Sequence, residues 1–324
     1  MDIAQEILAN PLIVLQSEDI FDALKKHWVL NHQNVRDPEK FVEEFFGWLK
    51  TSDVQGHAMS GPLRHPMSKK EILRFYEKKL KEYKLENLPP AENSDMFLEM
   101  IESKLEGVKT ILDFGCGKLT FLKNIAAQNK NVEKFIGIDA KSNPVLGDLD
   151  PRIEFEINLD RIPDNSVDLA VVKLVLHHLK ESEILENLKK IKNALKPDGK
   201  LILFEESFPE AAGHRISLVS GKAWTFDVQA IAKYLKKSNL ETSEATADFM
   251  RLSDEDKFKF LFLNDWLMNL QNAYMPWTLE YRSMESWRDL IESLGFKEKE
   301  AHFIGAIKNR KRKQGMTAIL IFEN

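Results

Sequence analysis

The sequence predicts an α/β fold, a doubly wound and mostly parallel sheet with crossover helices, and three observations carry that expectation. From Thr110 onward, short β-type runs alternate with helical ones, near residues 110–114, 134–139, 153–157, 168–173 and 200–206. The first run, Thr110-Ile-Leu-Asp-Phe-Gly-Cys-Gly-Lys-Leu-Thr120, ends in Asp-x-Gly-x-Gly. Gly115 and Gly117 accept positive φ and carry no Cβ, so the chain turns tightly and the following helix aims its N–H groups at an anion. The second run, Lys134-Phe-Ile-Gly-Ile-Asp139, closes on an acid 22 residues past Gly117, placed to accept hydrogen bonds from ribose hydroxyls.

Ahead of the alternating region, residues 1 to about 55 read as packed helices, with apolar residues at helical spacing in Ile20-Phe21-Leu24, Trp28-Val29 and Phe41-Phe45-Phe46-Trp48-Leu49. Gln55 to Met67 gathers Gly, Pro and His without periodicity and reads as a loop, a candidate lid. Ser68-x-x-Glu71 is a capping box that opens a helix through about Tyr83, Leu88-Pro-Pro90 breaks the chain, and a further helix follows at about 95–105. Pro197-Asp-Gly199 reads as a turn before the fifth strand. From Phe208 to Ser286 the alternation gives way to a mainly helical, aromatic-rich insertion bearing Trp224, Phe226, Phe249, Phe258, Phe260, Phe262, Trp266, Tyr274, Trp277 and Tyr281. Trp287 to Phe296 is an amphipathic helix ending at a C′ glycine, and Ala301–Ile307 with Thr317–Phe322 form a hairpin.

The glycine turn separates three classes of cofactor. A P-loop needs Gly five residues before Gly117 and Ser or Thr after the Lys, where this chain has Leu112 and Leu119. A dinucleotide fingerprint wants a small residue where Thr120 stands. S-adenosylmethionine offers an amine, a carboxylate and a ribose diol, which Asp113, the turn and Asp139 suit.

Here the chain resembles the class I S-adenosylmethionine-dependent methyltransferases, in the small-molecule branch typified by quinone-biosynthesis enzymes. Asp113-Phe-Gly-Cys-Gly117, Gly137-Ile-Asp139, Ile162 to Leu179 with its Val-Leu-His-His-Leu ending, and Leu195 to Glu206 carry the likeness in order. It covers roughly residues 108–207 and, more weakly, 295–323. The family usually has a third glycine where this chain has Leu119. The resemblance implies a Rossmann-like seven-stranded sheet with the last strand antiparallel, a helical extension or lid over residues 1–105, and a methyltransferase domain over 106–324 interrupted at about 208–286.

The cofactor set expected is Asp113, Gly115, Cys116, Gly117, Asp139, Ala140, Asn158, Leu159 and Lys173, with Asp160 as the alternative to Asn158 for the adenine edge. His177, His178 and Glu206 are the candidate bases, because ligands in such sheets sit at the carboxyl ends of the strands and histidine titrates near neutrality. At α-helical spacing the two histidines diverge by about 100°, so they are not expected to share a ligand or form a metal pair. A packing role for the pair and a solvated strand end for Glu205-Glu206 are the plainer alternatives. An insertion at this point overhangs the acceptor in related enzymes, and the helix bearing Phe75-Tyr76 often closes over the cofactor there.

Composition narrows the partners. Net charge −5, with 43% hydrophobic and 30% charged residues, does not describe a polyanion binder, so an apolar or aromatic small molecule is expected and nucleic acid is not. The basic run Lys308-Asn-Arg-Lys-Arg-Lys313 keeps an RNA methyltransferase as one alternative, and Leu119 keeps a non-catalytic binding protein as another. Cys116 is the only cysteine, which excludes an intramolecular disulfide and a cysteine-rich metal site and suits the cytoplasm. The longest apolar run, Leu169–Leu176, is far short of the ~20 residues of a membrane span, and the Met1-Asp2 start with Glu6 lacks the basic region of a signal peptide.

Overall fold

The computed structural model describes residues 7–58, 67–85, 96–140, 149–210, 243–272, 275–306 and 315–324. The chain divides into two compact units: residues 1–93, 240–281 and 305–316, and residues 94–239, 282–304 and 317–324.

The second unit holds the sheet. Its strands are β1 (Thr110–Phe114), β2 (Lys134–Ile138), β3 (Ile153–Glu156), β4 (Val167–Lys173), β5 (Leu195–Glu206), β6 (Lys297–Phe303) and β7 (Thr317–Glu323). They lie in the order β3-β2-β1-β4-β5-β7-β6, parallel from β3 through β5, with β7 antiparallel to both neighbours. The order reverses between β1 and β4, the switch point where such sheets bind ligands at their carboxyl ends. β1, β2 and β4 are near-continuous apolar runs because both faces of a parallel sheet are covered.

The chain folds back tightly at Pro197-Asp198-Gly199, as expected, but within the span of β5 instead of ahead of it. There the pairing to β4 shifts between Val167 and Leu169. The extra residues are absorbed as a bulge, and a Cβ on Gly199 would stand 2.9 Å from the Lys196 carbonyl oxygen. α4 (Met96–Ile101), α5 (Thr120–Gln128), α6 (Glu181–Ala194) and α9 (Met284–Ser293) accompany the sheet. α9 is capped by Ser283, buries Trp287 and Ile291, and ends at Gly295 with φ +86°, as its pattern predicts. Asp168 braces the entry to β1 by accepting from the Lys109 and Thr110 N–H groups at 3.0 and 2.8 Å.

The first unit is helical: α1 (Glu18–Asn31), α2 (Pro38–Ala58), α3 (Lys69–Glu82), α7 (Glu244–Arg251) and α8 (Asp254–Met268). The α3 capping box forms as expected. α2, however, continues through Gln55-Gly56-His57-Ala58, so this part of the expected loop is helical; residues 59–66 lie outside the described residues, as does Leu88-Pro-Pro90. The fully buried rings Trp28, Phe41, Phe45 and Phe46 form the core. Phe75 stacks on Trp48 at 3.9 Å between centroids, and Tyr76 hydrogen bonds His32 at 2.9 Å, which places both rings of the α3 pair in this packing.

Residues 243–272 and 275–281 of the insertion belong to the same unit as the amino-terminal helices. Trp28 Nε1 donates to Asn264 Oδ1 at 3.1 Å, and Lys26 pairs with Asp248. Ser243 and Thr246 hydroxyls donate to the Ala306 carbonyl at 2.8 and 2.9 Å, which fastens Ala306 to the same unit. Trp224, Phe226, Tyr274 and the basic run 308–313 lie outside the described residues. Among the described residues no helix is long and apolar enough to cross a membrane.

Candidate functional site

Three residues with positive φ build the turn after β1: Gly115 at +79°, Gly117 at +50° and Leu119 at +61°. The Gly115 and Cys116 N–H groups donate to the Ile138 carbonyl at 2.8 and 3.0 Å, which ties the turn to the end of β2. Gly117 N–H donates to Asp139 Oδ2 at 2.9 Å, so the two motifs read from the sequence meet directly. The glycines do different work. A Cβ on Gly115 would lie 2.6 Å from Val175 Cγ2, whereas one on Gly117 would meet nothing within 4 Å. Gly115 admits the protein's own β4 loop, and Gly117 leaves the backbone open to a ligand.

Leu119 occupies a left-handed conformation that favours glycine, which accounts for the third glycine usual in the family. Its side chain is fully buried and turned toward β2, where a Cβ on Gly137 would stand 2.5 Å from Leu119 Cδ2 and 2.8 Å from Cys116 Sγ. Packing over Gly137 offsets the backbone strain. Cys116 is buried, and burial, with Asp113 and Asp139 nearby, pushes its thiol well above the usual range. It packs the turn, as expected.

Asp113, next to last in β1, is 3% exposed. Burial pushes its carboxyl up to about 7; the Lys173 cation opposes that shift and the Asp139 charge adds to it. The Lys173 ammonium stands over Phe97, Phe121 and Phe204, 5.1, 5.9 and 6.0 Å from their centroids. An aromatic cradle holds the cation at the end of β4 beside Asp113. Ala140, after Asp139, is exposed.

At the end of β3, Asn158 is exposed and caps the short turn Leu159–Arg161, its side chain accepting from Asp160 N–H at 3.0 Å. Leu159 is buried, and Asp160 is paired with Lys190 at 2.8 Å. Two large apolar residues are exposed at the same edge: Ile157, 53% exposed, and Leu174, next to Lys173 at the expected ligand edge, 39% exposed with φ +53°. A strained, exposed leucine after β4 is the kind of outlier that marks ligand sites. Nothing in the sequence signals its backbone conformation.

His177 and His178 lie in a single 3-10 turn, Leu176–His178, and are both buried. Their rings do not diverge. The centroids are 4.0 Å apart with the planes tilted by 50°, because the α-helical spacing assumed for them does not apply to a 3-10 turn following a strand. Glu205 organises the turn: its Oε1 accepts from the Val175 and Leu176 N–H groups at 2.8 and 2.7 Å, and its Oε2 pairs with His177 Nδ1. It is fully buried, so the solvated strand end considered for the acidic pair is wrong. Glu206, the expected candidate base of this acidic pair, is buried opposite Thr317 of β7. Two adjacent acids at a strand end give no sign of which one faces the β4 loop.

A family model described as a methyltransferase domain matches residues 72–297. Among solved structures, an S-adenosylmethionine-dependent methyltransferase from Mesorhizobium loti is similar at 16% identity over 72% of this chain and 99% of its own, with a TM-score of 0.44. The 1,6-didemethyltoxoflavin-N1-methyltransferase of Burkholderia thailandensis, solved with 1,6-didemethyltoxoflavin and S-adenosylhomocysteine, is 12% identical over 82% and 94%, with a TM-score of 0.42. A search of curated proteins returned no match. The family model spans well over half of the chain, and it coincides with the glycine turn and the strand-end acids of a seven-stranded sheet ending in antiparallel strands: the chain belongs to the methyltransferase-domain family and is a class I enzyme that uses S-adenosylmethionine.

Proposed function

We propose that this enzyme methylates a small aromatic or apolar organic molecule, and that Asp113, Gly115, Cys116, Gly117, Asp139, Ala140, Asn158, Leu159 and Lys173 form its cofactor site. The residues fit the cofactor. Open backbone at Gly117, a carboxylate at Asp139 and exposed Ile157 beyond β3 provide a surface for a ribose and an adenine. S-adenosylmethionine supplies a methyl group on an electrophilic sulfonium, so the protein's task is alignment and, for a protonated acceptor, removal of a proton.

The buried state of His177, His178, Glu205 and Glu206 carries the small-molecule reading. An enclosed polar cluster at the ends of β4 and β5 suits a molecule that enters whole, whereas a nucleic-acid polymer calls for an open, basic face. His177 is the group best held to take up a proton: Glu205 fixes Nδ1 as its donor side and stabilises an imidazolium. His178 and Glu206 are the further candidates, and Glu205 is a positioning residue. Leu119, turned onto Gly137, supports a working turn over the non-catalytic reading. The lone buried Cys116 accords with a reducing cytoplasm.

The test is methyl transfer from label-bearing S-adenosylmethionine to a panel of small aromatic compounds and to total RNA. Label recovered in the small-molecule fraction, and lost in His177→Phe, is the expected result. Label recovered in RNA overturns the reading.

A further inference from the structure

In the helical unit, Lys69 occupies the first position of α3, directly after its cap Ser68. This is a poor place for a cation, since the positive end of the helix dipole repels it and attracts anions. The ammonium is held there by two indoles, 4.5 Å from the Trp277 ring centroid and 5.4 Å from that of Trp266. Among the described residues it has neither a hydrogen-bond acceptor nor an ion-pair partner. Burial lowers its pKa, and the charge of Asp265 opposes this. Asp265 is otherwise engaged, accepting from Tyr281 Oη at 2.8 Å and from Asn269 Nδ2 at 2.7 Å. Phe262 buttresses Trp277 edge-on at 6.0 Å, and Tyr281 flanks Phe262 at 6.4 Å.

A lysine that serves only to cover a surface keeps its head in water; this one is partly desolvated between indole faces with its N–H donors uncommitted. A flat ring between or against the indoles, carrying a negative group toward the ammonium, satisfies all three at once. We propose that Lys69, Trp266 and Trp277 form a binding site for a planar aromatic carboxylate in the helical unit.

The experiment uses the full chain and calorimetric titration with 2-naphthoate and its neutral counterpart 2-naphthamide, with S-adenosylhomocysteine titrated in parallel. The expected result is a preference of about tenfold or more for the acid, the loss of one charge-assisted contact. Lys69→Met abolishes the preference and Lys69→Arg restores most of it, while S-adenosylhomocysteine affinity stays unchanged in both, which also certifies that the variants are folded. Equal affinity of the wild type for acid and amide, or a preference that survives Lys69→Met, overturns the site.

Discussion

The two units bury polar groups for different ends. In the sheet unit, Asp113, His177, His178, Glu205 and Glu206 gather at the carboxyl ends of three neighbouring strands. In the helical unit, the buried polar groups join segments far apart in the chain: Trp28 to Asn264, His32 to Tyr76, Thr246 to Ala306. One set is concentrated and the other distributed. The contrast shows where a chain invests desolvation: in the sheet unit to tune charged groups beside a ligand edge, in the helical unit to fix the mutual packing of helices that lack a backbone ladder between them.

The largest effect should come from the concentrated set. Glu205→Ala leaves two buried N–H groups and the His177 ring without their acceptor, for a loss of about 3–5 kcal/mol, or roughly 6–20 °C in the melting temperature of a unit this size. Glu205→Gln keeps part of the bonding and falls between. Scanning calorimetry of both variants decides it, and a shift too small to measure for Glu205→Ala would mean that the turn is held by something else.

A second test splits the turn after β1. Gly115→Ala places a methyl against Val175 at a left-handed position and should cost about 2 kcal/mol or more in urea unfolding. Gly117→Ala meets no protein atom, so it should cost only about 1 kcal/mol of left-handed strain while weakening S-adenosylhomocysteine binding. Equal effects of the two substitutions on stability and on binding would contradict the division of labour assigned to them.

The units also differ in the sign of their pH dependence. Burial raises Asp113 from 3.8 to about 7, so the folded sheet unit holds a proton that the unfolded chain releases. That stabilisation is complete below pH 3.8 and is lost as pH rises through about 7. In the helical unit His27, fully buried and bonded to Asn31, is lowered from 6.5 to about 4, chiefly by burial and then by His32. Its contribution is present above pH 6.5 and is lost as pH falls through about 4. Melting curves from pH 4 to 8 should lose their alkaline decline in Asp113→Asn and their acid decline in His27→Gln. Curves that keep both slopes in the variants would contradict the assignments.

The same contrast governs what was legible in the sequence. Parallel strands end where the ligand binds, so Asp113, Gly115, Gly117, Asp139 and Lys173 are marked by a local rule, the residue after an apolar run, and their strands emerge within a residue or two of expectation. Glu205 was hidden because its function depends on which of two adjacent acids faces a loop 30 residues away. The conformation of Leu174 was hidden because a positive φ at a leucine leaves no trace in composition. In the helical unit, apolar spacing found the helices but not their partners: Trp28 meets Asn264 across 236 residues, and Lys69 meets Trp277 through folding alone. Helical periodicity says which face is buried and is silent on what covers it.

The central claim is that the glycine turn and Asp139 form a working cofactor site in spite of Leu119. Calorimetric titration of the wild type and Asp139→Ala with S-adenosylhomocysteine tests it most directly. Saturable one-site binding by the wild type, weakened about tenfold or more in Asp139→Ala by loss of charge-assisted bonds to the ribose, is the predicted result. Absence of binding by the folded wild type would contradict it.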